Sequence, residues 1–443
     1  MKPQKRKELS DMKTNVTAYT NLDSAGIIYP YVATEDWCSV YRIEARMKSP
    51  VSVSALREAV GDMLKEHPYY FSKIAEYKNN YVLVPTKSTS VIYKNDQPFC
   101  RPFDITNEPL TRIVYGTYTI AAELFHTLAD GRGGLAFFKE LLKKYARYKN
   151  GGKVTDIAPD SFLSGNLTDI YERITMAGGK SESRIMTHAY QLKKTTLPSI
   201  DTVSINTDMQ SLKEAAKRRN ATVSQYLCAL QLKTIFDSEN TGNKTVRISV
   251  PVDIRKFAGG NTDRNGSLYA LIGAKKKDAR SIDTLIATVK KQFATEITAE
   301  KMRNIAYANV QQGNLKIFRM LPVAVKKKIL NFGYTFLGED QFTATFTNPG
   351  IIELTAELSD EVDDIYFVLG RQKTKPINIA VTTYKNSAKL MVTSDYRCDR
   401  FISIISSYLR TDGISVSIER ITPDYDGKDE KHTPDRHTMP DIA

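Results

Sequence analysis

The sequence predicts a mixed α/β protein made of two related lobes. Strand and helix patterns recur twice along the 443 residues in a similar order, which is typical of two packed α/β units. The length suits two domains of ordinary size. With 41% hydrophobic and 26% charged residues, the composition is that of a globular protein.

The predicted domain organisation follows from shifts in composition along the chain. A polar stretch of weak periodicity separates the lobes, and both ends are polar and poor in apolar residues. The predicted segments are a disordered N-terminus (1–13), an N-terminal lobe (14–175), an inter-lobe crossing (176–200), a C-terminal lobe (201–422) and a disordered tail (423–443).

Elements of the N-terminal lobe are indicated by hydrophobic periodicity and by capping residues. Alternating apolar residues predict strands, and apolar residues three or four apart predict helices. The expected elements are a strand over 37–47, a helix over 55–65 capped by Ser54, a hairpin over 69–84, one strand over 111–125 and a helix over 134–148.

The same patterns give the elements of the C-terminal lobe, where Thr222 is a favourable helix cap. The expected strands cover residues 201–206, 245–252, 267–274, 342–358, 364–370, 377–384 and 389–395. The expected helices cover residues 208–219, 223–236, 282–309, 315–332 and 399–409.

Net charge and cysteine content limit the classes of function that the sequence allows. A net charge of +13 fits a nucleic acid, an anionic membrane surface or a small anionic ligand such as a phosphorylated coenzyme, but a solvated lysine-rich surface is the favoured interpretation. Four dispersed cysteines disfavour a zinc site or a disulfide framework. Without an apolar leader or a spanning stretch, we expect a cytoplasmic protein with no membrane span and no metal.

The best candidate for chemistry is His126, which follows the apolar run over 111–125 and precedes an amphipathic helix. Histidine titrates near neutral pH, so it can accept a proton from a substrate hydroxyl or amine. Taken alone, a single histidine in this position is more often structural than catalytic. Asp130 stands four residues later, at the turn into the helix, where a carboxylate can hold the loop.

The residues His126, Asp130 and Gly131 form an HxxxDG pattern between a strand and a helix, about 125 residues into the chain. This resembles the acyltransferase superfamily of chloramphenicol acetyltransferase, peptide-synthetase condensation domains, plant BAHD acyltransferases and alcohol acetyltransferases. The alcohol acetyltransferase branch is the most similar. The resemblance implies two chloramphenicol-acetyltransferase-like lobes with a tunnel between them.

Further segments resemble this branch in order, over about residues 15–410. They are the stretch over 55–71, Arg101-Pro102-Phe103-Asp104, residues 217–230, the SVPVDIR run ending at Arg255, Asn265, and Thr347-Asn348-Pro349-Gly350. Two features depart from the family. Phe125 replaces the first histidine of the pair found in many members, and the plant branch's DFGWG motif is absent, which argues against a plant-type enzyme.

The resemblance implies a role for each matching residue. His126 would be the general base that deprotonates the acceptor as it attacks an acyl thioester, with no covalent acyl-enzyme. Asp130 would pair with Arg255 and fix the loop, and Gly131 would let the backbone pass close to the substrate. Thr347 or Asn348 would donate a hydrogen bond to the oxyanion. Acyl-CoA or an acyl carrier thioester would be the co-substrate, with no bound cofactor. A small-molecule acceptor and an acyl carrier protein are the expected partners of a monomer.

Two alternatives remain open. Residues 212–230 could form a helix-turn-helix on a basic protein, but the basic residues lie on the first helix and the second is largely apolar, so we expect no nucleic-acid binding. A condensation-like fold could also serve as a non-catalytic docking or carrier-binding module, and a single histidine where relatives have two would suit that case.

Overall fold

The structure is a computed structural model that describes residues 19–86, 90–151, 162–176, 178–180, 187–193, 197, 199–313 and 320–422. The expected disordered N-terminus (1–13) and tail (423–443) lie outside these residues, as does much of the expected crossing (176–200). The boundaries of the two domains therefore stay a prediction.

The N-terminal half begins with short elements and then builds a sheet that ends at His126. Its strands are β1 (Thr20–Asn21), β2 (Val40–Met47), β3 (Ser72–Tyr77), β4 (Asn80–Pro85), β5 (Ile92–Lys94), β6 (Thr111–Tyr115) and β7 (Thr119–Phe125). Its helices are α1 (Ile28–Val32), α2 (Val53–Glu66), α3 (Gly131–Lys149) and α4 (Ile170–Met176).

The C-terminal half alternates longer helices with strands. Its strands are β8 (Asp201–Asp208), β9 (Val246–Asp253), β10 (Ser267–Ala274), β11 (Ala344–Thr347), β12 (Ile351–Ile352), β13 (Val362–Leu369), β14 (Ile377–Tyr384), β15 (Ser387–Ser394) and β16 (Val416–Arg420). Its helices are α5 (Met209–Arg218), α6 (Val223–Ser238), α7 (Arg255–Ala258), α8 (Ile282–Glu296), α9 (Ala299–Gly313), α10 (Val323–Phe332), α11 (Ala356–Glu361) and α12 (Asp399–Thr411).

The described strands form three sheets. A small sheet has the order β1-β4-β3, a five-stranded sheet has the order β13-β2-β7-β6-β5, and the largest runs β10-β9-β11-β14-β15-β8-β16 with β12 beside β14. Parallel and antiparallel pairs both occur, because β5 pairs parallel with β6 and β11 pairs parallel with β9 and β14. The mixed α/β class is therefore confirmed.

Each half has its own hydrophobic core. One core packs α2 and α3 against the five-stranded sheet, and the other packs α6, α8 and α12 against the largest sheet. Strand β13 comes from the C-terminal half of the chain, yet it pairs antiparallel with β2 at the edge of the five-stranded sheet. The two halves are thus joined by an exchanged strand.

Several predicted boundaries follow from local chemistry. Thr222 caps α6 as expected, and Gln225 completes a capping box with it. Asp208, expected as the first residue of a helix, is instead the N-cap of α5. Helix α2 begins earlier than predicted, because the Ser52 hydroxyl rather than Ser54 accepts the backbone N–H of Ala55 at 3.3 Å.

Two other predicted strands are wrong, because each is interrupted in the structure. The single strand expected over 111–125 is a hairpin of β6 and β7, with the Gly116 N–H bonded to the Thr119 carbonyl at 2.9 Å. The strand expected over 342–358 divides into β11, β12 and helix α11, which is capped by the Thr355 side chain. None of the described helices is long and apolar enough to span a membrane.

Candidate active site

His126 is positioned by the end of strand β7. Its backbone N–H donates to the Ser39 carbonyl at 2.8 Å, which continues the pairing of β7 with the β2 side of the sheet. The Leu128 N–H then bonds the Phe125 carbonyl at 3.0 Å and turns the chain. The Cα of His126 is therefore held at the rim of the five-stranded sheet.

Two tyrosine rings hold the imidazole of His126. Tyr29, on α1, stacks on it with ring centroids 4.8 Å apart, and Tyr41, on β2, meets it edge-on at 5.4 Å. The Tyr41 hydroxyl donates to the carbonyl oxygens of Ala129 and Asp130 at 3.1 and 3.0 Å. The ring thus has little freedom to rotate.

The tautomer of His126 follows from its contact with Asn265. The ring Nδ1 lies 3.2 Å from Asn265 Oδ1. The amide nitrogen of Asn265 faces acceptors, with Asp23 Oδ2 at 3.2 Å and the Thr127 carbonyl at 3.4 Å, so the amide oxygen must face the ring. Nδ1 therefore carries the hydrogen, and Nε2 keeps the lone pair that can accept a proton.

Burial sets the charge of the ring. The partly buried His126 has a pKa lowered from its ordinary value, chiefly by desolvation, although the hydrogen bond with Asn265 and the nearby carboxylates of Asp130 and Asp23 act in the opposite direction. The imidazole is consequently neutral at pH 7, which is the state that a general base requires.

Asp130 forms the predicted ion pair with Arg255. Arg255 Nη1 donates to Oδ2 and Nη2 to Oδ1, both at 2.9 Å, so the contact is bidentate between two buried side chains. The backbone N–H groups of Gly133 and Gly266 also donate to this carboxylate, at 3.0 and 2.8 Å. Asp130 is thereby the N-cap of α3 as well as a link to the C-terminal half.

These partners determine the pKa of Asp130. Burial alone would raise it, but Arg255 and the N–H donors of Gly133 and Gly266 bring it below its ordinary value. A carboxylate that is ionised, buried and bonded to these four donors is suited to holding the loop, and this role for Asp130 stays a prediction.

Gly131 of the motif and the two glycines at 133 and 134 differ in how closely they are packed. A Cβ on Gly131 would meet only the Phe367 ring at 3.5 Å, an ordinary contact. A Cβ on Gly133 would lie 2.2 Å from the Asp263 carbonyl, and one on Gly134 would lie 2.2 Å from the Tyr41 hydroxyl. Protein packing thus requires glycine at 133 and 134, while a need for Gly131 near the substrate stays a prediction.

A buried polar network behind His126 was not predicted. Asp23 is almost fully buried and holds Asn265, and Arg264 Nε lies 3.2 Å from Asp23 Oδ2. Burial raises the pKa of Asp23, although the nearby Arg264 acts to lower it. The resemblance to the acyltransferases indicates Asn265 as a loop asparagine, but no local pattern marks Asp23 or Tyr29 as neighbours of the histidine.

Thr347 ends strand β11 in the C-terminal half, and Asn348 follows it. Asn348 Nδ2 donates to the Ser224 hydroxyl at 3.0 Å, and its Oδ1 accepts the Gly350 N–H at 3.0 Å. Ser224 lies in the first turn of α6. The side chain therefore organises its own turn against a helix start, and its contact with an oxyanion stays a prediction.

Comparison with known proteins adds to this geometry. No known protein-family model and no curated protein sequence matches the chain. Among the solved structures that resemble it is polyketide synthase associated protein 5 from Mycobacterium tuberculosis, with a TM-score of 0.60, 16% identity, and 89% of this chain and 98% of that one covered.

Two further solved structures also resemble this chain. TRI3 trichothecene 15-O-acetyltransferase from Fusarium sporotrichioides has a TM-score of 0.57 at 13% identity, covering 89% of this chain and 94% of that one. The starter condensation domain of rhizomide synthetase RzmA, in complex with C8-CoA, has a TM-score of 0.59 at 12% identity, covering 92% and 96%. This chain has the condensation-domain and acyltransferase fold.

Within this fold, His126 and Asp130 come from the N-terminal half and Asn265 and Arg255 from the C-terminal half. The candidate site therefore lies where the two halves meet, as the two-lobed fold predicts. The tunnel expected between the lobes stays a prediction.

Other site types fit the described residues less well. No group of metal-ligating side chains occurs among them. The four cysteines are buried free thiols, and burial raises the pKa of Cys38 to about 11, which makes it a poor nucleophile. Most of α6 is buried in the core of the C-terminal half, so it could not serve as a recognition helix in a DNA groove.

Proposed function

We propose that this protein transfers an acyl group from a thioester, acyl-CoA or carrier-bound, to the hydroxyl or amine of a small-molecule acceptor. The observation that carries the proposal is the fixed tautomer of His126, whose Nδ1–H bonds Asn265 and whose Nε2 is left as a base. The fold supports it, since the similar proteins include an acetyltransferase and a condensation domain in complex with C8-CoA.

In the proposed reaction, Nε2 of His126 takes the acceptor's proton as the oxygen or nitrogen attacks the thioester carbonyl. The tetrahedral oxyanion then collapses, the C–S bond breaks, and the imidazolium returns the proton to the departing thiolate. No residue is acylated. Such general base catalysis is typically worth about 100- to 10,000-fold in rate.

The remaining residues position this base and the oxyanion. Asp130 and Arg255 hold the loop that follows His126, while Asn265 sets the tautomer. Asn348 has a second N–H besides the one given to Ser224, and the Thr347 hydroxyl is adjacent, so either is the proposed oxyanion donor.

The test is free-thiol release from a panel of acyl-CoAs and carrier-bound acyl groups, each with alcohol and amine acceptors. We expect acceptor-dependent release for one donor class, and an intact-protein mass without an added acyl group during turnover. Release without acceptor together with an acylated protein would contradict the mechanism. Thioester binding without turnover across the panel would favour a docking module.

Replacing Thr347 with Val and Asn348 with Ala separates the two oxyanion candidates. Loss of an oxyanion donor typically lowers kcat by about 100- to 1,000-fold. We expect this loss for one of the two variants, with KM nearly unchanged. Equal and small effects for both would remove these residues from the proposal.

A further inference from the structure

Asp23 carries a carboxylate that is buried behind the candidate active site. The residue is 1% exposed. Its Oδ2 lies 3.2 Å from the side-chain nitrogen of Asn265, 3.3 Å from the backbone nitrogen of Asn265 and 3.2 Å from Arg264 Nε, and its Oδ1 accepts the N–H of Gly26. These neighbours are all nitrogen donors, which favour the ionised form. An ionised carboxylate can only accept hydrogen bonds.

This carboxylate sets the direction in which the amide of Asn265 points. Two acceptors face the amide nitrogen, but the Thr127 carbonyl is neutral and lies at 3.4 Å, whereas Asp23 Oδ2 is charged and lies closer, at 3.2 Å. A hydrogen bond to a charged group is roughly twice as strong as one between neutral groups. With its nitrogen turned to Asp23, Asn265 presents its oxygen to Nδ1 of His126 at 3.2 Å. Asp23 therefore acts on the His126 ring through one intervening side chain.

Asp23 also fixes the turn that leads into helix α1. Its side chain accepts the Gly26 N–H, and its backbone carbonyl accepts the Ile27 N–H at 3.0 Å. Tyr29, two residues further along the chain, stacks on the His126 ring with centroids 4.8 Å apart. The same aspartate thus supports both the tyrosine that stacks on the imidazole and the amide that bonds its Nδ1.

We propose that Asp23 is a positioning residue for His126, because its carboxylate orients Asn265 and its turn places Tyr29. This role rests on the proposed function, in which Nε2 of His126 is the base. A rival determinant of the tautomer exists, since the backbone carbonyl of His126 itself also favours a hydrogen on Nδ1. If that carbonyl alone fixed the tautomer, loss of the Asp23 carboxylate would leave it unchanged.

The tautomer of His126 is measured without any substrate, by NMR on the full-length protein with ¹⁵N-labelled histidine rings. Among the five histidines, the signals of His126 are those that His126→Ala lacks. At pH 8, above the ordinary histidine pKa of about 6.5, the unchanged protein should show a hydrogen on Nδ1 and an unprotonated Nε2. Asp23→Ala should change the ratio of the two tautomers about tenfold or more, because a hydrogen bond to a charged group shifts an equilibrium by about that factor.

Turnover of the donor and acceptor found active in the panel measures the consequence for catalysis. Asp23→Ala should lower kcat about tenfold or more with KM nearly unchanged, because the base is disturbed and substrate binding is not. Asp23→Asn keeps one oxygen for the donors of Asn265 and Gly26, so its loss in kcat should be smaller, about threefold. A changed tautomer with undiminished kcat would support the positioning role but contradict Nε2 of His126 as the base, so the two failures are distinguishable.

Asp169→Asn is the matched control, because it removes a carboxylate charge beside the same turn. Among the described residues, the Asp169 side chain bonds the N–H and hydroxyl of Ser24 and the N–H of Tyr171, and not Asn265. This variant should keep the tautomer and the kcat of the unchanged protein.

An unchanged tautomer in Asp23→Ala would overturn the proposal, and so would equal changes in Asp169→Asn. If the alanine variant does not fold, Asp23→Asn gives the answer: a tautomer ratio and a kcat equal to those of the unchanged protein would then overturn the proposal.

Discussion

At the scale of single residues, the candidate site depends on how His126 is held. Tyr29 and Tyr41 fix the plane of its ring, and Asn265 fixes its tautomer. Asn265 is in turn held by the buried carboxylate of Asp23. The chemistry assigned to one nitrogen of His126 thus depends on side chains that never touch the substrate in the proposed reaction.

The pH dependence of activity tests this arrangement. Because burial lowers the pKa of His126 and only the neutral ring is a base, log kcat should rise with pH below 6.5 and level off near neutrality. Asn265 accepts the Nδ1 hydrogen and so favours the imidazolium. Asn265→Ala should therefore lower kcat and move the acid limb to lower pH. A limb that moves to higher pH would contradict the assigned hydrogen bond.

The ion pair of Asp130 and Arg255 makes a prediction about stability. Arg255→Met leaves a buried carboxylate without its counter-charge, which typically costs about 3–5 kcal/mol. In the unchanged protein the pKa of Asp130 is lowered, so its contribution is present above about pH 4 and is lost as pH falls.

In the Arg255→Met variant, burial should raise the pKa of Asp130 above its unfolded value, so stability should fall as pH rises. The difference between the two proteins is expected to grow from pH 4 to pH 8. Urea unfolding at both pH values measures it. A constant difference would mean that the carboxylate does not titrate as described.

At the scale of elements, the glycines at the start of helix α3 have different surroundings. Gly134→Ala places a methyl group against the Tyr41 hydroxyl, so we expect destabilisation of about 1–3 kcal/mol. Gly131→Ala is the matched control, since its Cβ has room and alanine favours a helix. Thermal unfolding distinguishes them. If Gly131→Ala keeps its stability and loses activity, the predicted approach of the backbone to the substrate gains support. If Gly131→Ala loses as much stability as Gly134→Ala, the difference in packing between the two glycines is wrong.

The elements also show what sequence can and cannot predict. The cap at Thr222 is local, since its side chain accepts the N–H of Gln225 three residues later, and the sequence predicts it. The HxxxDG motif is equally local. The contact of Asp23 with Asn265 spans 242 residues, and no spacing pattern indicates it. The partner sheet of β13 could not be predicted either, because an alternating strand looks the same in either sheet.

At the scale of the whole molecule, the two halves are tied together by more than the active site. Strand β13 completes the five-stranded sheet, and the Trp37 indole N–H donates to the Arg371 carbonyl at 2.8 Å. Trp37 is the only tryptophan of the chain. Its fluorescence therefore reports directly on a contact between the halves.

We expect the halves to unfold together. Tryptophan fluorescence and far-UV circular dichroism should give coincident urea transitions, because separating the halves removes an edge strand from one sheet and the partner of Asp130. A fluorescence change well before the loss of circular dichroism would instead show that the halves separate while each remains folded.

Nε2 of His126 is the proposed catalytic base, and its role is measured most directly by kcat/KM for thiol release by His126→Ala. The donor and acceptor are those found active in the panel. The comparison requires that the variant and the unchanged protein have the same urea unfolding midpoint. We expect a loss of about 100- to 10,000-fold with substrate binding retained. Unchanged turnover in a folded His126→Ala variant would contradict it.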